Sequence, residues 1–257
     1  MLLTPERERL HRNLEEHMYQ TPLVEFTTLP VPNGNIIFLK DESNTVGTSD
    51  LVGIELPLNH YGRVFPAVYR MLEETRRIKS GDFVFDSSQG NAALALTVIG
   101  NYLGFQPHAI VPAGHLPKRM LHLLEQAGAR LIYTEGVDYV NDFELKIREV
   151  MRRQRATRRF LNHSMDAGHT NNETTLRALE SIGIEILQQL KGDYGVRPDY
   201  FIGVWGNGSS LFGPGRVLRQ HGANVVGWEL FSQAATYDLA YPGRYTNRFG
   251  VPLTVPM

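Results

Sequence analysis

Short apolar runs alternate with longer amphipathic segments along most of the chain. The short runs are bounded by Gly, Pro, Asn or Asp, as strands commonly are, and the longer segments repeat apolar residues with a helical period. Strands that alternate with helices through short links predict an α/β fold built on parallel sheets. The predicted strands are Asn35–Leu39, Phe83–Phe85, His108–Val111, Leu131–Tyr133, Tyr200–Val204 and Val225–Glu229. The predicted helices are Thr4–His17, 66–77, Asn91–Leu103, Pro117–Gln126, Asp142–Arg153, Thr174–Leu190 and Pro214–His221.

Two of these segments are nearly all apolar, so we expect them to be buried. They are the strand Asn35–Leu39 (NIIFL) and the helix Asn91–Leu103 (NAALALTVIGNYL). The first helix has a clear start, because Thr4 can cap it and Pro5 suits its first position.

The composition excludes several classes of protein. The chain has 257 residues, of which 42% are hydrophobic, and its 26 Lys+Arg and 27 Asp+Glu residues give a net charge of −1. That much apolar side chain excludes a disordered protein, and the balanced charge argues against nucleic acid as a partner. Without cysteine there is no disulfide, no Cys-ligated zinc and no thiol nucleophile. The histidine spacings match no metal motif, and no apolar window is long enough for a transmembrane helix or a signal peptide. A cytoplasmic protein that binds neither metal nor membrane is expected.

An arginine-rich stretch runs through residues 149–160 (EVMRRQRATRRF). We interpret it as a solvated helix end that joins two lobes, because the rest of the chain offsets its charge and no aromatic residues interleave with it. Contact with RNA or a membrane surface is the alternative interpretation.

Two loops that follow predicted strands carry groups suited to anions. The loop after Phe83–Phe85 reads DSSQGNAA, and its hydroxyls, amide and helix N-terminal N–H groups suit a carboxylate; an ordinary helix cap is the alternative. The loop after Tyr200–Val204 reads WGNGSSLFG, and its glycines and serines suit a phosphate; a tight turn is the alternative. The second loop lacks the Gly-Lys-Ser/Thr ending of a P-loop.

Several segments stand in an order that resembles one enzyme family, the fold-type-II pyridoxal-phosphate (PLP) enzymes. That family includes cysteine synthase, threonine dehydratase and tryptophan synthase β. Single motifs are weak, but their order and spacing are specific and cover nearly the whole chain. The segments are Thr21-Pro22-Leu23, FLKDESN (38–44), IKSGD (78–82) followed by SSQGN, QAGA (126–129), Glu185-Ile186-Leu187, GNGSS (206–210) and Gly215-Arg216.

The resemblance implies an α/β fold of two lobes, each a parallel sheet flanked by helices, tryptophan synthase β-like and C-terminally short. Residues 1–54 and 151–257 would form the large lobe, and residues 55–150 the small lobe. Family members are commonly dimers, so a homodimer that binds a small molecule is implied.

The resemblance also assigns roles by position. Asn91 would hydrogen-bond the cofactor's 3′-oxygen, and His163 stands where the family has a glutamine. The phosphate cup would consist of Gly206, Asn207, Gly208, Ser209 and Ser210. The loop for the substrate carboxylate would include Ser88, Gln89, Gly90 and Ala92.

The pattern departs from the family at its central residue, the lysine that forms the internal aldimine. Counting forward from Asn44 places Asp50 at that position, and counting backward from the GDFVFDSSQGN strand places Tyr61 there. The two counts differ by about eleven inserted residues, and both exclude lysine. We prefer Tyr61, since the backward count crosses a helix without a gap, although Tyr61 could also be simple replacement packing.

Three hypotheses follow from the residues and the resemblance. The first is an enzyme of amino-acid or specialised metabolism that acts on an amino-acid-like or phosphorylated molecule without the lysine linkage. It would bind PLP non-covalently or another phosphate-bearing ligand, and Tyr61 or Asp50 would handle the proton. The second is a catalytically silent ligand-binding or partner subunit that binds a phosphorylated ligand or none. The third is an ordinary PLP-dependent β-elimination or β-replacement enzyme with a different lysine.

Overall fold

The computed structural model describes residues 3–28, 31–88, 90–135, 139–153, 158–161, 172–204 and 208–228. The strands are β1 (Leu23–Glu25), β2 (Phe38–Lys40), β3 (Phe83–Ser87), β4 (Gln106–Val111), β5 (Arg130–Tyr133), β6 (Arg158–Phe160), β7 (Tyr200–Val204) and β8 (Asn224–Trp228). The helices are α1 (Pro5–Glu16), α2 (Ser49–Val52), α3 (Tyr61–Glu74), α4 (Asn91–Tyr102), α5 (Lys118–Gln126), α6 (Tyr139–Arg153), α7 (Asn172–Gln189) and α8 (Ser209–Gln220). A π-helical segment, Leu190–Tyr194, follows α7.

The main sheet is parallel and has the strand order β5-β4-β3-β6. Helix α4 lies against it, and residues 92–100 of this helix are buried without interruption, as expected for a helix that is apolar on all sides. The parallel sheet with its flanking helices confirms the predicted α/β fold.

Strand β6 lies in the arginine-rich stretch, which the sequence analysis interpreted as a helix end. Helix α6 does end at Arg153, but Arg158–Phe160 then pairs with β3, where Phe160 stands opposite Phe85. The rings of Phe85 and Phe160 are 5.4 Å apart in a small second core. The main sheet therefore reaches ten residues past the predicted lobe boundary at 150, and the division into two lobes stays a prediction.

The other two sheets have two strands each: β1 and β2 are antiparallel, and β7 and β8 are parallel. The prediction of a buried strand at Asn35–Leu39 was wrong in both extent and burial. The strand is Phe38–Lys40, and Ile36, Ile37 and Leu39 are 57%, 43% and 47% exposed. Among the described strands β2 pairs with β1 alone, so neighbouring strands that would cover these side chains are absent from the described residues.

Two helices begin five residues before the predicted start. The sequence analysis began them at Pro66 and Pro214, but α3 begins at Tyr61 and α8 at Ser209, with each proline inside the helix. A proline in that place gives up one backbone hydrogen bond, and the packing of both helices compensates for the loss. The earlier start puts Tyr61 and Ser209 at helix N-termini.

Helices α7 and α8 pack closely because glycines line their contact. A Cβ added to Gly213 would stand 2.5 Å from Leu179 Cβ and 3.0 Å from the Leu176 carbonyl oxygen. A Cβ added to Gly183 would stand 2.7 Å from the Pro214 carbonyl oxygen. These helices can approach only with no side chain at the two positions.

The residues between α2 and α3 form an ordered loop that is anchored by two threonine hydroxyls. Thr45 donates to the carbonyl oxygens of Leu58 and Asn59, the latter at 2.7 Å. Thr48 donates to the Ile54 carbonyl at 2.9 Å and accepts from the Leu56 N–H at 2.6 Å. Leu56 and Leu58 are fully buried, so the inserted stretch predicted between residues 50 and 61 belongs to the core.

A buried ion network fixes the first turn of α3. The Arg63 guanidinium, whose side chain is 4% exposed, contacts Glu42 at 2.7 Å and Glu185 of α7 at 2.7 Å. Lys40 donates to Glu185 at 2.7 Å and to the Thr21 carbonyl at 2.6 Å. Two cations and two carboxylates therefore compensate one another where β2, α3 and α7 meet.

Ion pairing sets the protonation of Glu185 in this network. Burial alone would raise the pKa of Glu185, but the hydrogen bonds from Arg63 and Lys40 outweigh it and hold that pKa below its ordinary value of 4.5. A second buried pair joins α1 to α3, where His11 Nε2 lies 2.7 Å from Glu73 Oε2. Burial would raise the pKa of Glu73 too, and hydrogen bonds from His11 and Arg7 lower it overall.

The α7–α8 contact gives a prediction about stability. Gly213→Ala should lower the free energy of unfolding by about 1–3 kcal/mol, because the added methyl meets Leu179 and a backbone carbonyl that cannot move aside cheaply. Gly192→Ala is the matched control, since nothing lies within 4 Å of the Cβ added there. Urea unfolding measures both variants, and an equal effect of the two substitutions would contradict the packing argument.

The Arg63 network gives a second prediction. Arg63→Gln leaves two largely buried carboxylates with less counter-charge and should cost about 3 kcal/mol of unfolding free energy at pH 7. Arg70→Gln is the control, because Arg70 contacts Glu8, Glu15 and Glu74 at the surface and should contribute about 1 kcal/mol or less.

The pH dependence of the Arg63 variant follows from the lowered pKa of Glu185. A carboxylate whose pKa is depressed in the folded state stabilises the protein above its unfolded pKa, and this contribution disappears as the pH falls through the folded value. The difference between wild type and Arg63→Gln should therefore shrink below pH 4.5. A pH-independent difference in chemical unfolding would show that charge pairing is not its source.

Candidate functional site

The two anion-binding loops of the sequence analysis each join a parallel strand to the start of a helix. The first loop connects β3 to α4, and the second connects β7 to α8. Loops at the carboxyl ends of parallel strands are the usual ligand sites of α/β folds. Four predicted site residues, Gln89, His163, Gly206 and Asn207, lie outside the described residues.

In the first loop, Ser88 is a helix cap. Its Oγ accepts hydrogen bonds from the N–H groups of Gly90 and Ala93, both at 2.9 Å, and the residue is 7% exposed. The Ser88 oxygen therefore caps the first turn of α4, which was the alternative interpretation of this loop. Its hydroxyl proton is the group that Ser88 can still offer to a ligand.

The rest of this loop is shaped by close packing. Gly90 has φ +136°, and a Cβ there would meet Met120 Cγ of α5 at 2.9 Å, so the position requires glycine. Asn91 is exposed at the start of α4, which agrees with a ligand-facing role. Ala92 is 3% exposed and packs into the core, so only its backbone could serve a ligand.

The second loop ends at the N-terminus of α8. Gly208 has φ +90° and precedes the helix, Ser209 is 3% exposed, and Ser210 is exposed. A helix N-terminus carries partial positive charge and free N–H groups, which favour a phosphate. The described part of the predicted phosphate cup thus lies at a helix N-terminus, and its role stays a prediction.

Tyr61 is the first residue of α3, and its ring lies against His60, with the two centroids 4.2 Å apart. Burial raises the pKa of Tyr61 to about 12, and the nearby Asp86 carboxylate adds to the shift. Asp86 lies at the carboxyl end of β3 and is 1% exposed. The Tyr61 phenol is therefore protonated at neutral pH, the form that donates a hydrogen bond.

Asp50 has a different environment. It lies on α2 with its side chain 78% exposed, and its Oδ2 is 3.7 Å from His17 Nε2 near the end of α1. Asp50 therefore has a surface partner, whereas Tyr61 is half-buried near Asp86 at the end of β3. Sequence reasoning passed over Asp86, although a charged residue at the end of the apolar run FVF was a usable signal.

All five lysines lie in the described residues. Lys40 is held in the Arg63 network, and Lys146 pairs with Glu135 and Glu149. The other three are exposed: Lys79 lies in the turn at the amino end of β3, Lys118 begins α5, and Lys191 is in the π-helical segment.

The described residues fit part of a PLP site. The start of α8 suits the phosphate, and Asn91 is placed to reach a ligand on the β3 side. The amine that covalent attachment requires is not supplied at either Tyr61 or Asp50, and the Lys40 amine is committed to Glu185, Thr21 and Gln189.

The described residues contain neither a candidate metal site nor a helix that could span a membrane. No group of three or more His, Asp or Glu side chains there is arranged to hold a metal ion. None of the helices in that part of the chain has the length and apolar character to cross a bilayer.

Two curated cysteine synthases are similar to this chain in sequence. The chain is 29% identical over 163 residues to cysteine synthase of Aquifex aeolicus, a match that covers 62% of this chain and 46% of that protein. It is 24% identical over 212 residues to cysteine synthase B of Salmonella typhimurium, covering 80% of this chain and 61% of that protein. The chain thus spans about half the length of the curated relatives it matches.

Solved structures agree in fold. A hydrogen sulfide-producing enzyme from Fusobacterium nucleatum superposes with a TM-score of 0.73 at 19% identity, covering 97% of this chain and 72% of that one. A cysteine synthase from Entamoeba histolytica gives a TM-score of 0.70 at 19% identity, covering 92% and 66%. The model of the family described as "Pyridoxal-phosphate dependent enzyme" matches residues 14–248. The chain therefore belongs to the pyridoxal-phosphate-dependent enzyme family.

Proposed function

We propose that this chain binds a phosphate-bearing compound, PLP or another, and an amino-acid-like small molecule, without a covalent lysine linkage. The observation that carries the proposal is the half-buried, protonated Tyr61 at the start of α3, the position that the backward count assigns to the family lysine. The cysteine synthase relatives support the amino-acid-like character of the ligand.

Each part of such a ligand has a candidate partner. The phosphate would lie at the N-terminus of α8, where the helix dipole and the serine hydroxyls of Ser209 and Ser210 favour a dianion. A carboxylate would lie on the loop between β3 and α4, near the Ser88 hydroxyl and Asn91. The Tyr61 phenol would donate a hydrogen bond to an anionic oxygen of the ligand.

The raised pKa of Tyr61 supports ligand binding over proton abstraction by this residue. With a pKa near 12, the Tyr61 phenolate is scarce at neutral pH, so Tyr61 cannot remove a proton from a bound amino acid efficiently. Bound PLP supplies an electron sink for carbanions, while residues of this chain would bind and orient the ligand. We therefore favour a ligand-binding or partner subunit over an enzyme that uses Tyr61 as its base. A homodimer and a cytoplasmic location stay predictions.

A pair of lysine substitutions tests the position of Tyr61. Tyr61→Lys should restore a yellow protein that borohydride fixes to PLP at residue 61, because an amine would then stand beside the bound ligand. Asp50→Lys is the matched control and should label no more than wild type, since residue 50 is at the surface. Peptide mapping by mass spectrometry locates the adduct.

The outcomes of this experiment separate the hypotheses. Labelling at residue 50 but not 61 would mean that Asp50 occupies the family's lysine position. Stoichiometric labelling of one native lysine in the wild type would overturn the proposal in favour of an ordinary PLP enzyme.

A charge substitution tests the phosphate site. Ser210→Glu should weaken binding of PLP and of inorganic phosphate about tenfold or more, because it places a carboxylate where a phosphate is bound. Glutamate in a first helical turn favours the helix, so unfolding would not explain the loss. His221→Glu, at the other end of α8, is the control. Equilibrium dialysis measures the affinity of both variants. Equal affinities of Ser210→Glu and His221→Glu would show that the phosphate does not bind at the start of α8.

A further inference from the structure

A groove of about 550 Å³ opens between α1, α3 and α7. Residues of all three helices line it, together with the segment 18–20 that follows α1. Neither the loop between β3 and α4 nor the start of α8 contributes to the lining. The groove is therefore separate from the site of the proposed function, and its size is typical of small-molecule pockets.

The floor of the groove consists of buried polar side chains that are already paired. Arg63 and His11 have side chains only 4% and 1% exposed, and each is held by a carboxylate, Glu185 and Glu73. Arg63 also donates to the Ser181 hydroxyl at 3.2 Å. A floor with its hydrogen bonds satisfied is rigid and needs no counter-ion from a ligand.

Apolar side chains form the walls. Met18, Pro66, Ala67, Met71 and Ala178 come from the three sides and give the groove a predominantly apolar surface. An apolar body about the size of a short alkyl chain or a single ring would release water from these walls on binding.

The rim of the groove carries one arginine, Arg177, of which only Nε is paired among the described residues. Arg70 has all three guanidinium nitrogens bound, to Glu8, Glu15 and Glu74. Arg177 uses only its Nε, at 3.1 Å from Glu173 Oε1, and its side chain is 73% exposed. Within the part of the chain that the structure describes, Arg177 is the one lining arginine whose two terminal nitrogens have no partner. These two nitrogens match the two oxygens of a carboxylate.

We propose that this groove binds a monocarboxylate with an apolar body, seated on the methionine and alanine walls with its carboxylate on Arg177. A dicarboxylate is disfavoured, because Glu15 and Glu74 also line the groove and would repel a second negative charge. The inference does not depend on the proposed function, since it uses a different set of residues.

Calorimetric titration with defined acids tests this site. Hexanoate and 3-phenylpropionate should bind saturably, while their primary amides and succinate should bind about tenfold more weakly or not at all. Arg177→Gln should weaken both acids about tenfold. Arg219→Gln, an exposed arginine on α8 outside the groove, is the control and should leave their affinity unchanged.

A second variant keeps the test independent of Arg177. Ala67→Phe fills the groove from α3 and should abolish binding while the far-UV circular dichroism stays native. Equal affinity for acid and amide, unchanged binding in Arg177→Gln, or no saturable binding would each overturn the proposal. Self-association that competes with the acids in sedimentation velocity would also overturn it, because the groove would then be an interface between two copies.

Discussion

The buried guanidinium of Arg63 fixes how β2, α3 and α7 meet, and the start of α3 belongs to the candidate site. Arg63 is buried between Glu42, just after β2, and Glu185 on α7, which is 122 positions away along the chain. Removing such a charge from water is costly unless its partners are close and well oriented, so the three elements can meet in few ways. The start of α3, and with it Tyr61, is therefore fixed by these ion pairs as well as by the ordered loop before it. The same arginine forms the floor of the groove between α1, α3 and α7.

The order of elements could be predicted from the sequence because hydrophobic period and turn residues are local signals. Helix starts were less secure: Pro66 and Pro214 look like first positions, yet tertiary packing holds both inside helices. The burial of β2 was misjudged for a related reason, since an apolar run shows what a strand could bury and not whether a neighbour covers it.

The candidate site could be predicted only where its residues are close to one another along the chain. The loops after β3 and β7 were found because strand, loop and helix are consecutive, and the glycines and serines in them are visible in the sequence. The Arg63 network and the proximity of Asp86 to Tyr61 were not found, because they join residues that are distant along the chain. Ser88 shows the remaining ambiguity, since the same hydroxyl that could bind a carboxylate caps α4.

The loop between α2 and α3 is the stretch over which the two counts for the family lysine differ. Thr45 and Thr48 hold its backbone, and Leu56 and Leu58 fill the core, so this stretch is a folded part of the molecule before α3. The first turn of α3 follows it, with Arg63 two residues after Tyr61 and paired to both carboxylates. The forward count ends on a short helix upstream of the insertion, whereas the backward count ends inside the turn that the ion pairs fix. The ion pairs of Arg63 therefore support the backward count, and the assignment of Tyr61 to the position of the family lysine stays a prediction.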